Sequence, residues 1–340
     1  MNEHLDIEQP GVLEKYLRRG NHIGIRERVK VERLSGGISN RTMIVHREKG
    51  PSWVLKQALS KLRVETDWFS PPSRIEREAL GLDWLAKLTP EGTITPLIFL
   101  DRENYILAME AVAHPHDNWK SILFEGRIKD DHFKQFGYLL GTLHRQGHKR
   151  REELAVEFAD WTFFESLRLE PFYLFTADQV PKARAFLRQL VKDTRSRHCS
   201  LVHGDYSPKN ILVHHEKLFL IDHEVIHFGE PAFDVGFSLA HLLSKAHHLK
   251  NLTQTFRDAA LVYWREYRKT LGEVPWDEDL EARCVWHTLG CLLARVAGRS
   301  QLEYLSQDEK RRQEDVCSKL IRLRLESVSD LIGQFCAVIN

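Results

Sequence analysis

A chain of 340 residues exceeds what one minimal hydrophobic core organises, so two lobes or domains are expected. With 42% hydrophobic residues, 29% charged residues and a formal net charge of +1, it has an ordinary globular composition and no charge bias toward nucleic acid or a membrane surface. No apolar run is long enough to span a bilayer, the polar start MNEHLDIEQPG is unlike a secretory signal, and Cys199, Cys284, Cys291, Cys317 and Cys336 show no CxxC spacing, so free thiols in the cytoplasm are expected.

Residues 9–20, QPGVLEKYLRRG, place Leu13 and Leu17 four apart before Gly20, which predicts a short leading helix. Between 28 and 58 the pattern turns to strands: RVKVERL, SGGISN, RTMIVHR, EKGPS and WVLKQA read as strand, glycine turn, strand, turn, strand. Gly36 and Gly37 carry no Cβ and let a ligand approach the backbone closely, while Ser39 and Asn40 add side-chain donors. Lys56 sits among apolar neighbours in the third strand, where an isolated ammonium is costly, so it needs a partner. The next predicted helix, 72–88, opens on Pro72 and Ser73 and offers two candidates, Glu76 and Glu78. PLIFLD and YILAMEAV, parted by a turn at Arg102-Glu103-Asn104, complete a first lobe over residues 1–112.

The second lobe is expected over 113–340. Residues 130–149 carry Phe133, Phe136, Leu139, Leu140 and Leu143 at helical spacing, with His144 as a packed core histidine. Residues 150–200 hold an aromatic-rich stretch and an amphipathic helix that can cap the second lobe by packing. Residues 201–224 read LVHGDYSPKNILVHHEKLFLIDHE, in which the runs ILV and LFLID flank a short polar turn and predict a hairpin. Asp205 precedes the first strand, Asn210 opens it and Asp222 ends the second, so two carboxylates and an amide oxygen surround one point. Oxygen-only ligation suits a hard cation such as Mg²⁺ held by one or two carboxylates plus phosphates, and Asp205 is then left to accept a proton from a hydroxyl. Beyond the hairpin, Gly229-Glu230-Pro231 makes a turn, and Asp234 opens an apolar helix that it is placed to cap. Glu224 and Glu230 are expected to be exposed enough to meet a substrate. Arg295 and Arg299 either complement helix ends or face an anionic acceptor. Residues 308–335 read as one amphipathic helix, a packing or dimer element, so a monomer or homodimer is expected.

His203-Gly204-Asp205, four residues, Asn210, and Ile221-Asp222 after a short hairpin resemble the catalytic and metal segments of the aminoglycoside phosphotransferase-like small-molecule kinases. These vary the H-R-D-x-x-x-x-N and D-F-G pair of protein kinases. Here Gly204 stands in place of the Arg and His223-Glu224 in place of Phe-Gly, and both departures point away from protein kinases. The resemblance implies an α+β, two-lobed, protein-kinase-like fold: an antiparallel sheet plus helix, then a larger, mainly helical lobe. It implies ATP or GTP as phosphoryl donor, Mg²⁺ on Asn210 and Asp222, Asp205 as the catalytic residue, and Gly36, Gly37, Ser39 and Asn40 over the phosphates. Arg77-Glu78-Ala79 matches the family's segment and selects Glu78 for Lys56, and the backbone from Glu110 to Val112 corresponds to the hinge that reads the adenine edge. His203 and Asp234 support the catalytic turn. A helical insertion at 150–200 is typical of the family and helps build the acceptor pocket, which makes Arg168, Tyr173, Glu224 and Glu230 acceptor-side candidates. The implied partners are a nucleotide and a small hydroxyl compound, aminoglycoside-, sugar- or amino-alcohol-like. The rival readings are a pseudokinase that binds nucleotide without turnover, and a protein kinase.

Overall fold

The computed structural model describes residues 5–34, 37–64 and 67–339. Helix α1 (Pro10–Arg19) leads into strands β1 (Val29–Arg33), β2 (Asn40–Arg47) and β3 (Trp53–Ala58); helix α2 (Arg74–Leu88) and strands β4 (Leu97–Asp101) and β5 (Ile106–Glu110) follow. The five strands form one antiparallel sheet in the order β1-β2-β3-β5-β4. Side chains alternate along a strand, so each face of this sheet has its own partner. Trp53 and Leu55 of β3 join Met43, Val45, Ile106 and Ala108 against Leu13 and Leu17 of α1. Leu107 and Met109 pack instead with Ile75, Leu82 and Leu85 of α2, and Lys56 reaches Glu78 on that side.

The remainder is largely helical. It runs through β6 (Asp117–Asn118), α3 (Trp119–Phe124), α4 (Asp130–Lys149), α5 (Arg151–Glu157), α6 (Thr162–Phe164), a π-helical segment (Glu165–Leu174), α7 (Phe175–Gln179) and α8 (Arg184–Arg195). Then come β7 (Ser200–Val202), β8 (Ile211–His214), β9 (Lys217–Leu220), β10 (His227–Gly229), α9 (Ala232–His248), α10 (Thr253–Leu271), α11 (Leu280–Ala297), α12 (Gln307–Leu323) and α13 (Val328–Val338). Helix α4 lies close against α10: a Cβ on Gly137 would stand 2.5 Å from the Tyr263 carbonyl oxygen, so only glycine permits this approach. The architecture is the α+β, kinase-like one expected.

One element differs. Residues 308–335, expected as a single helix, divide into α12 and α13. Arg324 takes a left-handed backbone (φ 51°), and the Ser327 hydroxyl accepts the Asp330 N–H to start a new helix. Local capping thus interrupts a continuous apolar period. Among the described residues, no helix is long and apolar enough to cross a membrane.

Candidate active site

Strands β8 and β9 pair with Ile211 opposite Leu220, and the hairpin closes on His215 and Glu216, both with positive φ (47° and 64°). Such a two-residue turn matches the strands' natural twist. At the open end, Ile221 N–H donates to the Asn210 carbonyl at 3.0 Å, which brings Asn210 and Asp222 to the same place. Asp205 lies one short turn earlier. Its Oδ2 accepts from Asn210 Nδ2 at 2.7 Å and stands 3.0 Å from Lys209 Nζ; its Oδ1 stands 2.9 Å from Arg168 Nη2. Burial works against the Asp205 charge, but Arg168 and then Lys209 outweigh it and hold the carboxyl below the usual carboxylate range.

The turn that carries Asp205 is braced from beneath. Asp234 accepts the His203 N–H at 2.7 Å and the Gly204 N–H at 2.8 Å, and its Oδ2 lies 3.3 Å from His144 Nε2. The carboxylate is thereby drawn to the turn, away from the capping role open to it at the start of α9. Gly204 has φ +77°, and a Cβ there would lie 2.9 Å from the Val225 carbonyl oxygen. Glycine replaces the arginine of the protein-kinase pattern because the backbone is left-handed and closely covered here. His203 Nδ1 accepts the Asp205 N–H at 3.2 Å, which assigns the proton to Nε2, 3.0 Å from His223 Nδ1. Burial lowers the pKa of both imidazoles and favours a neutral pair.

On the sheet side, Lys56 Nζ lies 2.5 Å from Glu78 Oε1 and 2.9 Å from Asp222 Oδ1. Burial opposes the ammonium, but Asp222 and Glu78 outweigh it and hold Lys56 charged well above the usual lysine range. Burial likewise opposes the Asp222 carboxylate, and Lys56 and Lys209 keep it ionised below the usual range. Burial pushes Glu78 up, with Lys56 opposing, and its Oε2 has no partner among the described residues. Glu76 pairs at the surface with Arg102 at 2.9 Å. Asn210 commits its Nδ2 to the backbone and side-chain oxygens of Asp205, leaving its amide oxygen for a different donor. The ionised Asp222 and this amide oxygen form an all-oxygen set that fits a hard divalent cation completed by phosphate and water. Among the described residues, no group of three or more His, Cys, Asp and Glu side chains is placed to hold a metal without such help.

Gly36 lies outside the described residues. At Gly37 a Cβ would meet only ordinary contacts, the nearest at 3.6 Å, so packing within the fold does not demand glycine there. Ser39 and Asn40 are buried and turned inward: Arg74 donates to the Ser39 carbonyl and, at 3.5 Å, to Asn40 Oδ1, while Asn40 Nδ2 donates to Glu224 Oε2 at 3.3 Å. Arg74, fully buried, is the cation of this network and was not singled out from sequence; its one signal is a charged residue beside Ile75 on the buried side of α2. Over 110–112, the stretch expected to read an adenine edge, Glu110 and Ala111 N–H donate to the Pro96 and Ser52 carbonyls at 2.9 and 2.8 Å. The Val112 N–H has no protein acceptor among the described residues.

Of the four acceptor-side candidates, only Arg168 reaches Asp205. The π-helical segment carries it there, and its Nε donates to the Gly204 carbonyl at 2.7 Å. Tyr173 is fully buried, with its hydroxyl 2.8 Å from His287 Nδ1 and 3.2 Å from Cys291 Sγ. Glu230, expected to be exposed, is buried between Arg283 and His287. Glu224, also expected to be exposed, is buried against Arg74 at 3.1 Å and Asn40. Carboxylates leave water only where partners await them, and both found theirs in other elements. Phe164, Phe172 and Tyr173 of the insertion pack into the main core.

The five-stranded sheet with its lysine–glutamate pair, set over the Asp205–Asn210–Asp222 constellation, defines a protein-kinase-like fold. The chain belongs to the phosphotransferase enzyme family, which it matches over residues 30–272. A methylthioribose kinase of Pectobacterium carotovorum is 27% identical over 241 residues, 63% of this chain and 60% of that protein. The chain thus spans about 60% of the length of the curated relatives it matches. Among solved structures, an ethanolamine kinase of Plasmodium vivax superposes with a TM-score of 0.58 at 12% identity, covering 94% of this chain and 91% of that one. The amicoumacin kinase hAmiN, in complex with AMP-PNP, Ca²⁺ and Ami, gives 0.56 at 14% identity, covering 96% and 97%. At these identities the likeness is one of fold.

Proposed function

We propose that this protein is a kinase that moves the γ-phosphate of ATP, or of GTP, onto a hydroxyl of a small molecule. One observation carries the reading: five polar side chains, from β3, α2 and the stretch 205–222, form a single connected path. It runs Glu78–Lys56–Asp222, crosses from Ile221 to Asn210 through the backbone, and ends at Asp205. The cleft then lies between a lobe ending near Val112 and the helical remainder. Lys56, pinned by Glu78, holds the α- and β-phosphates. Asn210 and Asp222 would hold Mg²⁺, which when bound supplies charge neutralisation across the phosphates. The Val112 N–H faces the adenine edge, and the segment at Gly37 covers the phosphates.

Asp205 orients the acceptor hydroxyl and takes its proton as the oxygen–phosphorus bond forms and the bond to the leaving ADP breaks. Its lowered pKa makes it a weak base, so placement matters more than prior deprotonation. Asp234, His203 and His223 hold the turn that aims it. The match to methylthioribose kinases supports a small hydroxyl acceptor, and five free cysteines agree with a reducing cytoplasm. The test is acceptor-dependent ADP release over a panel of sugars, amino sugars, amino alcohols and nucleosides, with Asp205→Ala beside the wild type. Release that needs one acceptor class and vanishes in the variant supports the proposal. Tight nucleotide binding with no release on any acceptor would point to a pseudokinase, and labelling of added proteins instead would point to a protein kinase.

A further inference from the structure

Resting on the kinase reading above, a second set of residues speaks to what the acceptor carries. Helix α9 places Asp234, Phe237, His241 and Lys245 at three- and four-residue spacing, hence along one stripe. The stripe begins under the catalytic turn, where Asp234 holds His203 and Gly204. It ends at Lys245, 1% exposed, whose Nζ has a single acceptor among the described residues, the His241 carbonyl at 3.3 Å. Arg295 of α11, 7% exposed, faces the same stripe. Its guanidinium and that of Arg168 share two rings: each lies 5.5 Å from Phe172, and they lie 5.9 and 5.7 Å from Phe237. Lys120 and Lys245 likewise share the rings of Phe124 and Tyr304, at 5.5–5.9 Å. A run of cations therefore leads away from Asp205, through Arg168 and Arg295 to Lys245 and Lys120.

The chain supplies this run with too little negative charge. Asp205 is held by Arg168 and Lys209, and Glu303 pairs with Lys120. Among the described residues, neither Arg295 nor Lys245 has a carboxylate in ion-pair contact; Arg295 donates only to the carbonyl and hydroxyl of Ser300, at 2.6 and 2.9 Å. Arg295 Nε, His241 Nε2, Ser244 Oγ and Tyr304 Oη are all buried without a partner among the described residues. Burial, with Lys120 and Arg295 adding and Glu303 only partly opposing, pushes Lys245 down to about 7. Cations leave water at high cost unless they are paired, and elsewhere in this interior they are, as Arg283 is with Glu230. A purely structural role would give Arg295 and Lys245 a carboxylate of the chain. An anion from outside would supply the missing charge, on a run of cations that reaches Asp205 through Arg168.

We propose that this run anchors the acceptor, and that the acceptor is an anionic alcohol. Its carboxylate or phosphate sits on Arg295 and Lys245, and its hydroxyl points to Asp205. Arginine offers a planar fork to either oxyanion and lysine a point charge. The anchored group is unchanged in the reaction: the hydroxyl oxygen bonds to the γ-phosphorus, ADP leaves, and the hydroxyl proton passes to Asp205. Amino alcohols and amino sugars meet like charge in the same place.

Matched sets test this on the full chain: glycerol, glycerate and glycerol phosphate; ribose, ribonate and ribose 5-phosphate; ethanolamine and an amino sugar as the cationic arm. Binding is measured by calorimetry with Mg²⁺ and AMP-PNP, and turnover with ATP. The expected result is an anionic member favoured over its neutral parent and over the cationic arm by about 10-fold or more, as one charge-assisted contact provides. The carboxylate and phosphate members separate the two sources of the anion. Arg295→Gln and Lys245→Met are each expected to lose that preference through the acceptor KM, with the nucleotide KM unmoved. Should these variants fold poorly, the wild type still decides: free tartrate or inorganic phosphate is expected to compete with the acceptor and not with nucleotide. Preference for neutral or cationic members, or no binding of any anionic one, overturns the anion site. Turnover of a cationic alcohol overturns it while leaving the kinase reading standing, whereas failure to bind Mg²⁺ and AMP-PNP defeats the kinase reading itself.

Discussion

The two halves of the candidate site carry opposite imbalances. On the sheet side one cation, Lys56, stands between two carboxylates, Glu78 and Asp222. On the helical side one carboxylate, Asp205, stands against Arg168 and Lys209, with Arg295 and Lys245 behind them. Asn210 joins the two, bonded to Asp205 and set beside Ile221. A third region shows what balance looks like: Glu230 is sealed between Arg283 and His287. Each functional half is electrostatically incomplete, and the charge it lacks is the charge of what it is proposed to bind. Surplus carboxylate accommodates a divalent cation, and surplus cation accommodates an anion.

This contrast can be broken one half at a time. Asp205→Asn removes the carboxylate that faces Arg168 and Lys209 and is expected to lower kcat by about 10²–10⁴-fold, the range for a positioned acid–base group. Steady-state ADP release checks it, and a large rise in nucleotide KM would show that the halves are not separable. Lys56→Met removes the cation between Glu78 and Asp222 and strands buried Glu78 without its partner. Breaking a buried pair this way is expected to cost about 3–5 kcal/mol, read from urea unfolding.

The balanced region sharpens the comparison through pH. Burial opposes the Glu230 charge, but His287 and Arg283 hold the carboxyl at about 2, against an ordinary 4.5. Burial also lowers the pKa of His287, so Arg283 is the lasting counter-ion. Because the folded-state value is depressed, the stabilisation is full above pH 4.5 and is lost as pH falls toward about 2. On the order of 3 kcal/mol follows from a shift of this size. Urea midpoints across that window are expected to fall more steeply for the wild type than for Glu230→Gln; parallel curves would show that the pair contributes nothing. The smallest effect is expected at the joint between the halves. Gly204→Ala meets both a positive φ and the Val225 carbonyl, and strained backbone of this kind costs about 1–3 kcal/mol. Thermal unfolding measures the loss, and kcat is expected to fall with it as Asp205 shifts.

Much of this molecule was legible along the chain, because the signals were local. Periods of two and of 3.6 marked the sheet and most helices, and the spacing of His203, Asp205, Asn210 and Asp222 marked a hairpin with its polar ends. Helix phase accounts for Glu78: residues 76 and 78 lie about 200° apart around a helix of 3.6 residues per turn, so only one can face Lys56. The break at Arg324 was missed because a cap at Ser327 competes with an apolar period that continues through it. Tertiary structure alone decided where Glu224, Glu230 and Arg168 found their partners. Glu224 and Glu230 looked exposed because their partners, Arg74 and Arg283, lie 150 and 53 residues away. Arg168 was one residue of an aromatic insertion until a π-helical segment delivered it to Asp205. Periodicity reports what a residue's own neighbours do. Whether a buried charge is matched depends on which distant element meets it, and that is settled only when the chain has packed.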